Sequence, residues 1–581
     1  MSIDIAILDF GGQYVFNIRR TLLELGYNAE IFPFNTDIDQ LLNYNIKGII
    51  LSGGPYSICA RDAPKISSKY LETNIPILGI CYGHQLLIKM LGGEVARSDR
   101  GEFGFTILYV DDLDNELFKG LDKTEICWMS HKDIVATAPP GAKIIAHTDV
   151  SKIAAFQYRN FYGVQFHPEV FQTPKGYIIL RNFARICGAE RREWNVKSFI
   201  DKAIREIKEK VGDEKAIIAV SGGVDSTTLA LLAKEALGGN LICVHVDTGL
   251  MRKNESIKVV SYLRKMGLNV VFIDASDKVF SSLKNVISSD DKRRIIGRIF
   301  IEEFTKVADS YGAKWLLQGT IAPDVIESTR GQAEKRRENK HGGVIKLHHN
   351  VGGLPSKMKL KVIEPFRELF KYQVRIIART LGIDEELVMR QPFPGPGLGC
   401  RITGIITRDK VKLLQEITEI VERELKRYNS AQYFAMLVSS QMEKFESKVI
   451  RDFLGDSEAY LLEDLAIGVK GDERVVGKIL LIYSGKWHIK EWIEILQFQN
   501  SITGEYDDVC RVIALFHKPT KGIHGVILRA VDTLDFMTAI PSRVDFEHIK
   551  NLCEHIRRRF DKISFVGYEI TSKPAGTIEI I

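Results

Sequence analysis

Long hydrophobic runs, paired cysteines and a strong charge of one sign are all missing from this chain. No apolar run approaches the roughly 18 residues that are needed to span a bilayer. The formal net charge of +6 over 581 residues is small, so bulk electrostatics do not indicate a nucleic-acid binder. The eight cysteines include no C-x-x-C pair, and the N-terminus lacks the basic segment of a secretory signal. We therefore expect a cytoplasmic protein with reduced thiols, and neither nucleic-acid nor membrane partners.

The chain is too long for one hydrophobic core, and its length predicts about three to four folding units. Short apolar runs rich in β-branched residues alternate with amphipathic stretches from residue 5, and the alternation restarts at residue 216. This pattern is typical of parallel strands joined by crossover helices. A charged, helix-prone segment at 198–210 separates the two series. The predicted fold class is α/β, with two doubly wound parallel-sheet domains at 1–190 and 198–395.

A tract rich in proline and glycine at 391–399 cannot continue a helix or a central strand. It predicts an ordered turn that ends the second domain. Beyond it, helical patterns come first, and strand patterns such as 512–516 and 525–529 follow. We therefore predict a smaller α+β domain at 396–581. The stretch 330–343 is basic and poor in apolar residues, which predicts a mobile loop.

A cysteine stands at a predicted strand-to-helix turn of the first domain, in the order Gly79, Ile80, Cys81, Tyr82, Gly83. This is a cysteine version of the G-x-S-x-G elbow, in which the glycines allow a tight turn that raises the nucleophile above the sheet. The helix N-terminus favours the thiolate, which can attack a carbonyl carbon. The alternative is a cysteine buried as a small apolar residue.

A base and a carboxylate follow the predicted strand at 162–166, as His167 and Glu169. The imidazole can take the thiol proton while the carboxylate fixes its tautomer, as in a nucleophile triad. The turn Ser52-Gly53-Gly54 can point backbone N–H groups at the same sheet end and form an oxyanion hole. The alternatives are a surface turn at 167–169 and a plain tight turn at 52–54.

A second glycine motif, Ser221-Gly222-Gly223-Val224-Asp225-Ser226, follows a predicted strand and opens a helix that includes Thr227. Exposed N–H groups and the helix dipole favour phosphate there, and Asp225 is the candidate ligand for Mg²⁺. The motif lacks the G-x-x-x-x-G-K-[ST] pattern of a kinase-like γ-phosphate site. Val246, Asp247 and Gly319 lie at the ends of neighbouring strands, where open α/β sheets bind ligands. The alternatives are a capped glycine turn and an ordinary strand-end loop.

Both motifs resemble those of known families. Residues 3–188 resemble the class I glutamine amidotransferases, whose Cys, His and Glu triad matches Cys81, His167 and Glu169. That resemblance implies release of ammonia from glutamine through a thioester, an oxyanion hole at the backbone of Gly54 and Tyr82, and Gln85 near the substrate. The loop at 221–226 resembles that of the ATP pyrophosphatases, which cleave ATP between its α and β phosphates and attach AMP to an oxygen.

Nearly the whole chain resembles the GMP synthetases, through KRRIIG at 292–297, LQGTIAPDVIES at 317–328, HHNVGGL at 348–354 and KVIEP at 361–365. The resemblance implies glutamine, ATP and xanthosine monophosphate (XMP) as substrates and a homodimer formed through the C-terminal domain, with 535–538 in the shared region. Arg294 is the candidate ligand of the XMP phosphate. A solvated basic helix face is the alternative for Arg294. The further XMP-binding residues that the resemblance implies are His349, Asn350, Lys573, Thr577, Ile578 and Glu579.

Some features depart from that family or leave rivals open. Lys132 stands where relatives usually have glycine, Ile580 where they have an aromatic residue, and 329–345 is unusually long and basic. Residues 348–350 could instead form a zinc site or a cap, although no cysteine lies nearby, and the tail could be frayed.

A tRNA-thiolating enzyme with the same loop would show paired cysteines and a basic surface. A regulatory binding protein would keep the triad only as scaffold.

Overall fold

The computed structural model describes residues 3–322, 324, 360–470, 473–506, 508–533, 539–572 and 576–580. The side chains of 98–100, 103, 469–470, 473–475 and 576–580 lie outside the description, as do the predicted loop at 330–343 and residues 348–350, 535–538 and 573. None of the helices in the described ranges combines the length and the apolar character that crossing a bilayer requires.

The first sheet has a parallel half and an antiparallel half, in the order β2-β1-β3-β4-β9-β8-β7-β5-β6. Its strands are β1 Ile5–Asp9, β2 Ala29–Pro33, β3 Gly48–Leu51, β4 Ile77–Ile80, β5 Glu94–Val110, β6 Thr124–Thr137, β7 Lys143–His147, β8 Ala155–Tyr158 and β9 Phe161–Val164. Its helices are α1 Val15–Glu24, α2 Ile38–Leu42, α3 Tyr82–Met90 and α4 Gly176–Ile186, with a 3-10 helix at Ser68–Glu72. The parallel strands β1 to β4 and β9 are the predicted ones. The long β5–β6 hairpin was not indicated by the sequence pattern.

The second sheet is parallel throughout, in the order β12-β11-β10-β13-β14. Its strands are β10 Ala216–Ala219, β11 Leu241–Asp247, β12 Val270–Asp274, β13 Trp315–Leu317 and β14 Lys361–Ile363. The helices are α5 Val196–Val211, α6 Val224–Leu237, α7 Glu255–Lys265, α8 Ser276–Ser282, α9 Ser289–Tyr311, α10 Lys371–Thr380 and α11 Glu385–Val388, with a 3-10 helix at Gly238–Asn240. The strand order reverses between β10 and β13, which is where such sheets open a ligand crevice.

The third sheet is mostly antiparallel and follows the path β15-β20-β22-β19-β18-β17-β16, with β21 beside β20 and β23 beside β17. Its strands are β15 Gln432–Ser439, β16 Met442–Phe445, β17 Glu458–Lys470, β18 Glu473–Tyr483, β19 Val509–Leu515, β20 His524–Asp532, β21 Ile540–Pro541, β22 Ile563–Glu569 and β23 Gly576–Ile580. The helices are α12 Arg408–Leu425, α13 Lys448–Leu454, α14 Trp492–Glu505 and α15 Phe546–Arg559, with 3-10 helices at Gly397–Arg401, Lys426–Tyr428 and Trp487–Ile489. Strands begin earlier than the pattern predicted, because β15 is almost fully buried and lacks simple alternation.

The fold class predicted from the sequence, α/β sheets followed by an α+β domain, is confirmed. Separate apolar clusters fill the two faces of the first sheet, whereas one cluster contains residues of both the second and third sheets, such as Ile242 and Leu437. Inside the third sheet, Glu569 accepts hydrogen bonds from Arg511 and lies 3.0 Å from Arg529, with all three buried. The domain boundaries given above stay predictions.

Candidate active sites

The predicted elbow is a strained turn between β4 and α3. Cys81 has φ +52°, a region that side chains other than glycine rarely adopt. A Cβ atom added to Gly79 would lie 2.4 Å from the Gly83 carbonyl oxygen, and one added to Gly83 would lie 2.3 Å from that of Leu51. Only glycine therefore fits at both flanking positions, and the turn holds Cys81 at the carboxyl end of the sheet. This is the backbone arrangement that a nucleophile elbow requires.

The three predicted triad residues meet at this edge. Strands β4 and β9 are paired in parallel, so Cys81 and His167 follow neighbouring strands. A Cβ atom built on Gly53 would lie 3.1 Å from His167 Cε1 and 3.6 Å from Cys81 Cβ, which places all three residues in contact. His167 Nδ1 is 2.8 Å from Glu169 Oε1, and both side chains are buried. The arrangement is that of a thiol, an imidazole and an orienting carboxylate.

The charge state of His167 is set by its neighbours. Burial lowers the pKa of His167, but the negative charges of Glu169 and Cys81 outweigh that effect and raise the pKa to about 10. The imidazole therefore favours its protonated form in the resting site. A protonated His167 stabilises a thiolate at Cys81, and it can later donate its proton to a leaving amine.

Backbone carbonyls of strand β6 surround the triad. His167 donates its backbone N–H to the Trp128 carbonyl at 3.0 Å, and the Cys81 thiol lies 3.8 Å from the Ser130 carbonyl. Thr173 links the same two segments, because its Oγ1 donates to the His167 carbonyl and accepts from the Trp128 N–H. The hairpin thus holds the position of the base as well as the nucleophile.

The predicted oxyanion and glutamine residues have different surroundings. Gly54 packs against Phe10, whose carbonyl oxygen would be 2.8 Å from an added Cβ atom. Tyr82 opens helix α3, where the first N–H groups have no partner within the helix. Gln85 is buried, and its Nε2 donates to the carbonyl of Asp133 and to Gln165 Oε1. The side chain of Gln85 therefore fastens strand β6 to the elbow helix.

Acid should lower the stability of the first-sheet domain through His84, whose side chain is fully buried behind the elbow. Burial, aided by the charge of His131, lowers the pKa of His84 from 6.5 to about 3. The unfolded chain therefore binds one more proton than the folded chain between those pH values, so stability is lost as the pH falls below 6.5. The loss from this group is at most about 1.4 kcal/mol per pH unit.

Replacement of His84 by leucine tests that expectation. Between pH 7 and pH 5, the thermal midpoint of glutaminase inactivation should fall less steeply for His84→Leu than for the unmodified chain. The exposed His488 provides a control, since His488→Leu should leave the slope unchanged. If the thermal midpoint fell by the same amount between pH 7 and pH 5 in all three proteins, a neutral, buried His84 would be contradicted.

The second motif forms a glycine loop between β10 and α6. Gly222 has φ +79°, and a Cβ atom there would lie 2.4 Å from Val259 Cγ2. Ser226 Oγ accepts from the Ser221 N–H and donates to the Gly223 carbonyl, which fixes the loop's shape. Gly223 caps α6, and the N–H groups of the first turn, from Val224 onwards, face the loop end. Such a turn is suited to phosphate oxygens.

Neighbouring strand ends contribute the other predicted nucleotide residues. Gly319 follows β13, and a Cβ atom there would be 3.5 Å from the backbone carbon of Asp225. Asp247, at the end of β11, accepts the Gly249 N–H through Oδ1 at 2.8 Å, and Val246 is buried. Thr227 is buried in the first turn of α6. The crevice between β10 and β13 thus has the loop on one side and Gly319 on the other.

Asp225 has one carboxylate oxygen paired and one unpaired. Lys371 Nζ donates to Asp225 Oδ2, whereas the buried Oδ1 has no hydrogen-bond partner among the described residues. Mg²⁺ at nucleotide sites is commonly held by one or two carboxylates together with substrate phosphates, so this residue fits the ion. In the described ranges no group of three or more His, Cys, Asp or Glu could hold a metal ion without substrate.

Lys371 was not among the predicted site residues. It lies at the start of α10, far along the chain from the loop, and no short motif marks it. The loop itself contains no lysine or arginine. A phosphate site needs positive charge, so a cation from elsewhere in the chain could have been expected beside it. Arg390 also reaches the loop, through a 3.0 Å hydrogen bond to the Gly222 carbonyl.

The predicted XMP residues are only partly described. Arg294 lies on α9, is largely exposed and pairs with Asp291 at 3.0 Å, so no described contact joins it to the glycine loop. Thr577, Ile578 and Glu579 belong to β23, whose backbone pairs with β17, and their side chains lie outside the description. His349, Asn350 and Lys573 also lie outside the described residues.

Comparisons with known proteins identify the family. Three family models match the chain: Glutamine amidotransferase class-I at residues 6–187, NAD synthase at 196–295 and GMP synthase C terminal domain at 521–580. A Carboxydothermus hydrogenoformans protein named GMP synthase (glutamine-hydrolyzing) is 40% identical over 100% of both chains. A protein of the same name from Fusobacterium nucleatum is 38% identical over 99% of both chains. Another, from Caldanaerobacter subterraneus, is 38% identical over 99% of this chain and 98% of its own. The chain therefore belongs to the family of glutamine-hydrolyzing GMP synthases.

Proposed function

We propose that this chain makes GMP in two coupled steps. One site hydrolyses glutamine to glutamate and ammonia. The other transfers AMP from ATP to the oxygen on carbon 2 of XMP and releases pyrophosphate; ammonia then displaces AMP and leaves GMP. A carbonyl oxygen is a poor leaving group until it is esterified, so the second site needs ATP before it can use ammonia. The presence of a thiol elbow and a phosphate loop in one chain is the observation that carries this proposal.

In the glutaminase step, the Cys81 thiolate attacks the side-chain amide carbon of glutamine. The protonated His167 gives its proton to the departing ammonia, and it then takes one from the water that hydrolyses the thioester. Glu169 holds His167 in orientation through the 2.8 Å contact. Backbone N–H groups of Gly54 and Tyr82 are assigned to the oxyanion. The position of Tyr82 at the start of helix α3, whose first N–H groups have no partner within the helix, supports that role.

In the adenylylation step, residues 221–227 hold the phosphates of ATP, and Val246, Asp247 and Gly319 line the nucleotide crevice. Lys371 lies beside Asp225 and adds a positive charge at the phosphates. Mg²⁺, when bound, neutralises phosphate charge, and Asp225 would hold it through its unpaired oxygen. Arg294, His349, Asn350, Lys573, Thr577, Ile578 and Glu579 are assigned to XMP on their resemblance to the family.

The assembly and the compartment are proposals as well. A homodimer through the third sheet is supported by family resemblance and by exposed apolar side chains there, such as Val476 and Ile523. A cytoplasmic location is supported by the cysteines, since all eight lie in the described ranges as free thiols. The domain limits 1–190, 198–395 and 396–581 are supported by the three sheets.

An oxygen label tests the proposed chemistry. The chain is incubated with ATP, magnesium, an ammonium salt and XMP that carries heavy oxygen on carbon 2. Because AMP is attached through that oxygen, the AMP released should carry the label, with one AMP formed for each GMP. Formation of ADP, or of AMP without the label, would contradict adenylylation of the xanthine ring.

A further inference from the structure

The peptide group between Gly222 and Gly223 lies at the bend of the glycine loop. Gly222 has φ +79°, and Gly223 has φ −80° and ψ +158° at the cap of α6. In a planar trans peptide the C=O and the N–H point in opposite directions. The direction of the Gly222 carbonyl therefore fixes the direction of the Gly223 N–H. That N–H donates to Ser221 Oγ at 3.4 Å, so it faces the inside of the loop.

This peptide group can turn over unless another group holds it. Turning it over changes mainly ψ of Gly222 and φ of Gly223, and glycine tolerates both signs of φ. Among the described residues, a Cβ atom on Gly223 would meet only Ser221 Oγ within 4 Å, at 3.4 Å, so packing leaves room there. The turned form would present a carbonyl oxygen to the phosphates in place of an N–H. The orientation of this peptide thus sets the sign of the partial charge that faces the anion.

Arg390 holds the Gly222 carbonyl. Its Nη1 donates to that oxygen at 3.0 Å, and its Nη2 donates to Glu255 Oε1. A hydrogen bond from a guanidinium group is charge-assisted, so it is stronger than one between neutral groups. Because both Nη atoms are bound to protein acceptors, the guanidinium acts on a bound phosphate through the loop.

Glu255 fixes the guanidinium of Arg390 in place. It is the first residue of α7 and is buried. Its Oε1 also accepts from Arg252 Nη1 at 3.1 Å, and its Oε2 accepts the Arg252 backbone N–H at 3.0 Å. Arg252 in turn donates to Glu422 at 2.7 Å. Loss of Arg390 would therefore release the loop without leaving the buried carboxylate of Glu255 unpaired, which is the costly outcome for a buried charge.

We propose that Arg390 is a positioning residue that holds the 222–223 peptide with its N–H towards the phosphates of ATP. The inference rests on the proposed function, because it takes the loop at 221–226 to hold those phosphates and the pyrophosphate that leaves. Without Arg390, part of the population turns this peptide over and cannot bind. A ligand that binds only one of two forms has its apparent dissociation constant raised by the inverse of the competent fraction. The molecules that do bind react as before, so Arg390 sets the affinity for ATP and pyrophosphate and not the rate of AMP transfer.

Kinetics of GMP synthesis from ammonium salts separate these two effects. Arg390→Met keeps much of the bulk of the side chain and removes its donors. Its KM for ATP should rise about 10- to 100-fold, the usual cost of losing a hydrogen bond to a charged group, while kcat at saturating ATP stays close to that of the unmodified chain. The inhibition constant of pyrophosphate should rise by the same factor, and that of AMP, which lacks those phosphates, should not change. Arg390→Lys keeps one cationic donor and should raise both constants less.

Arg379→Met is the matched control, because Arg379 is a half-exposed arginine on α10 that pairs with Glu385. Its KM for ATP should equal that of the unmodified chain. An unchanged KM for ATP in Arg390→Met, or a lower kcat with an unchanged pyrophosphate constant, would overturn the positioning role. If Arg390→Met is inactive, the same two constants of Arg390→Lys decide. Failure of the unmodified chain to form AMP and pyrophosphate would contradict the proposed function instead.

Discussion

Replacement of Cys81 by alanine should abolish GMP formation from glutamine while synthesis from ammonium salts continues at the rate of the unmodified chain. The thiolate is the only group at the elbow that can form the thioester, and loss of a nucleophile typically costs about 10⁴-fold or more in kcat. Because the substitution removes only the sulfur atom, it should leave the fold intact. Glutamate release and GMP formation, each measured with both nitrogen donors, provide the test.

Cys59 offers a matched control for that experiment. It is exposed, lies in the same sheet domain and has no contact with the triad. Cys59→Ala should therefore keep both activities. If Cys81→Ala still used glutamine, the nucleophile would have to be another group. If Cys81→Ala also lost ammonia-driven synthesis, the two sites would not be chemically separate.

Asp225→Asn should give the opposite pattern. The substitution removes the negative charge that faces Lys371 and the phosphates, and it weakens the site assigned to Mg²⁺. Loss of one preorganised electrostatic contact commonly costs about 10²- to 10³-fold, so AMP formation should fall by that factor with either nitrogen donor. Basal glutamine hydrolysis, which needs only the first sheet, should persist. Raising the magnesium concentration should recover part of the activity if the lost group binds the ion.

Asp277→Asn is the corresponding control. Its carboxylate is almost fully exposed beside Arg408 and far in sequence from the loop, so AMP formation should be unchanged. Equal AMP formation by Asp225→Asn and the unmodified chain would contradict a role for that carboxylate at the phosphates.

The site at Cys81 was predictable because its members follow parallel strands. A turn after a strand is marked locally by glycine, and parallel strands bring their carboxyl ends to one edge. Parallel pairing of the two strands alone brings Cys81 and His167 together, although their positions in the chain differ by 86. It also places Gly319 beside the loop at 221–226, as the structure has it.

Other features could not be predicted because they depend on tertiary contacts without a local pattern. Lys371 reaches Asp225 only after α10 folds back over α6, and nothing in its neighbours distinguishes it from a surface lysine. The hydrogen bonds that the Gln85 amide donates to the Asp133 carbonyl and to Gln165 join separate parts of the chain, and no local pattern marks them. The β5–β6 hairpin has polar residues on both strands, so its pattern does not separate a strand from a loop.

Transfer of nitrogen from glutamine to the xanthine ring is the central step of the proposed function. The pure chain is incubated with glutamine labelled in its amide nitrogen, together with XMP, ATP and magnesium, while unlabelled ammonium is present in the solution. The GMP should carry the label, and one AMP should form for each molecule of GMP. GMP whose new nitrogen comes only from the unlabelled ammonium, while glutamine is being hydrolysed, would contradict that transfer.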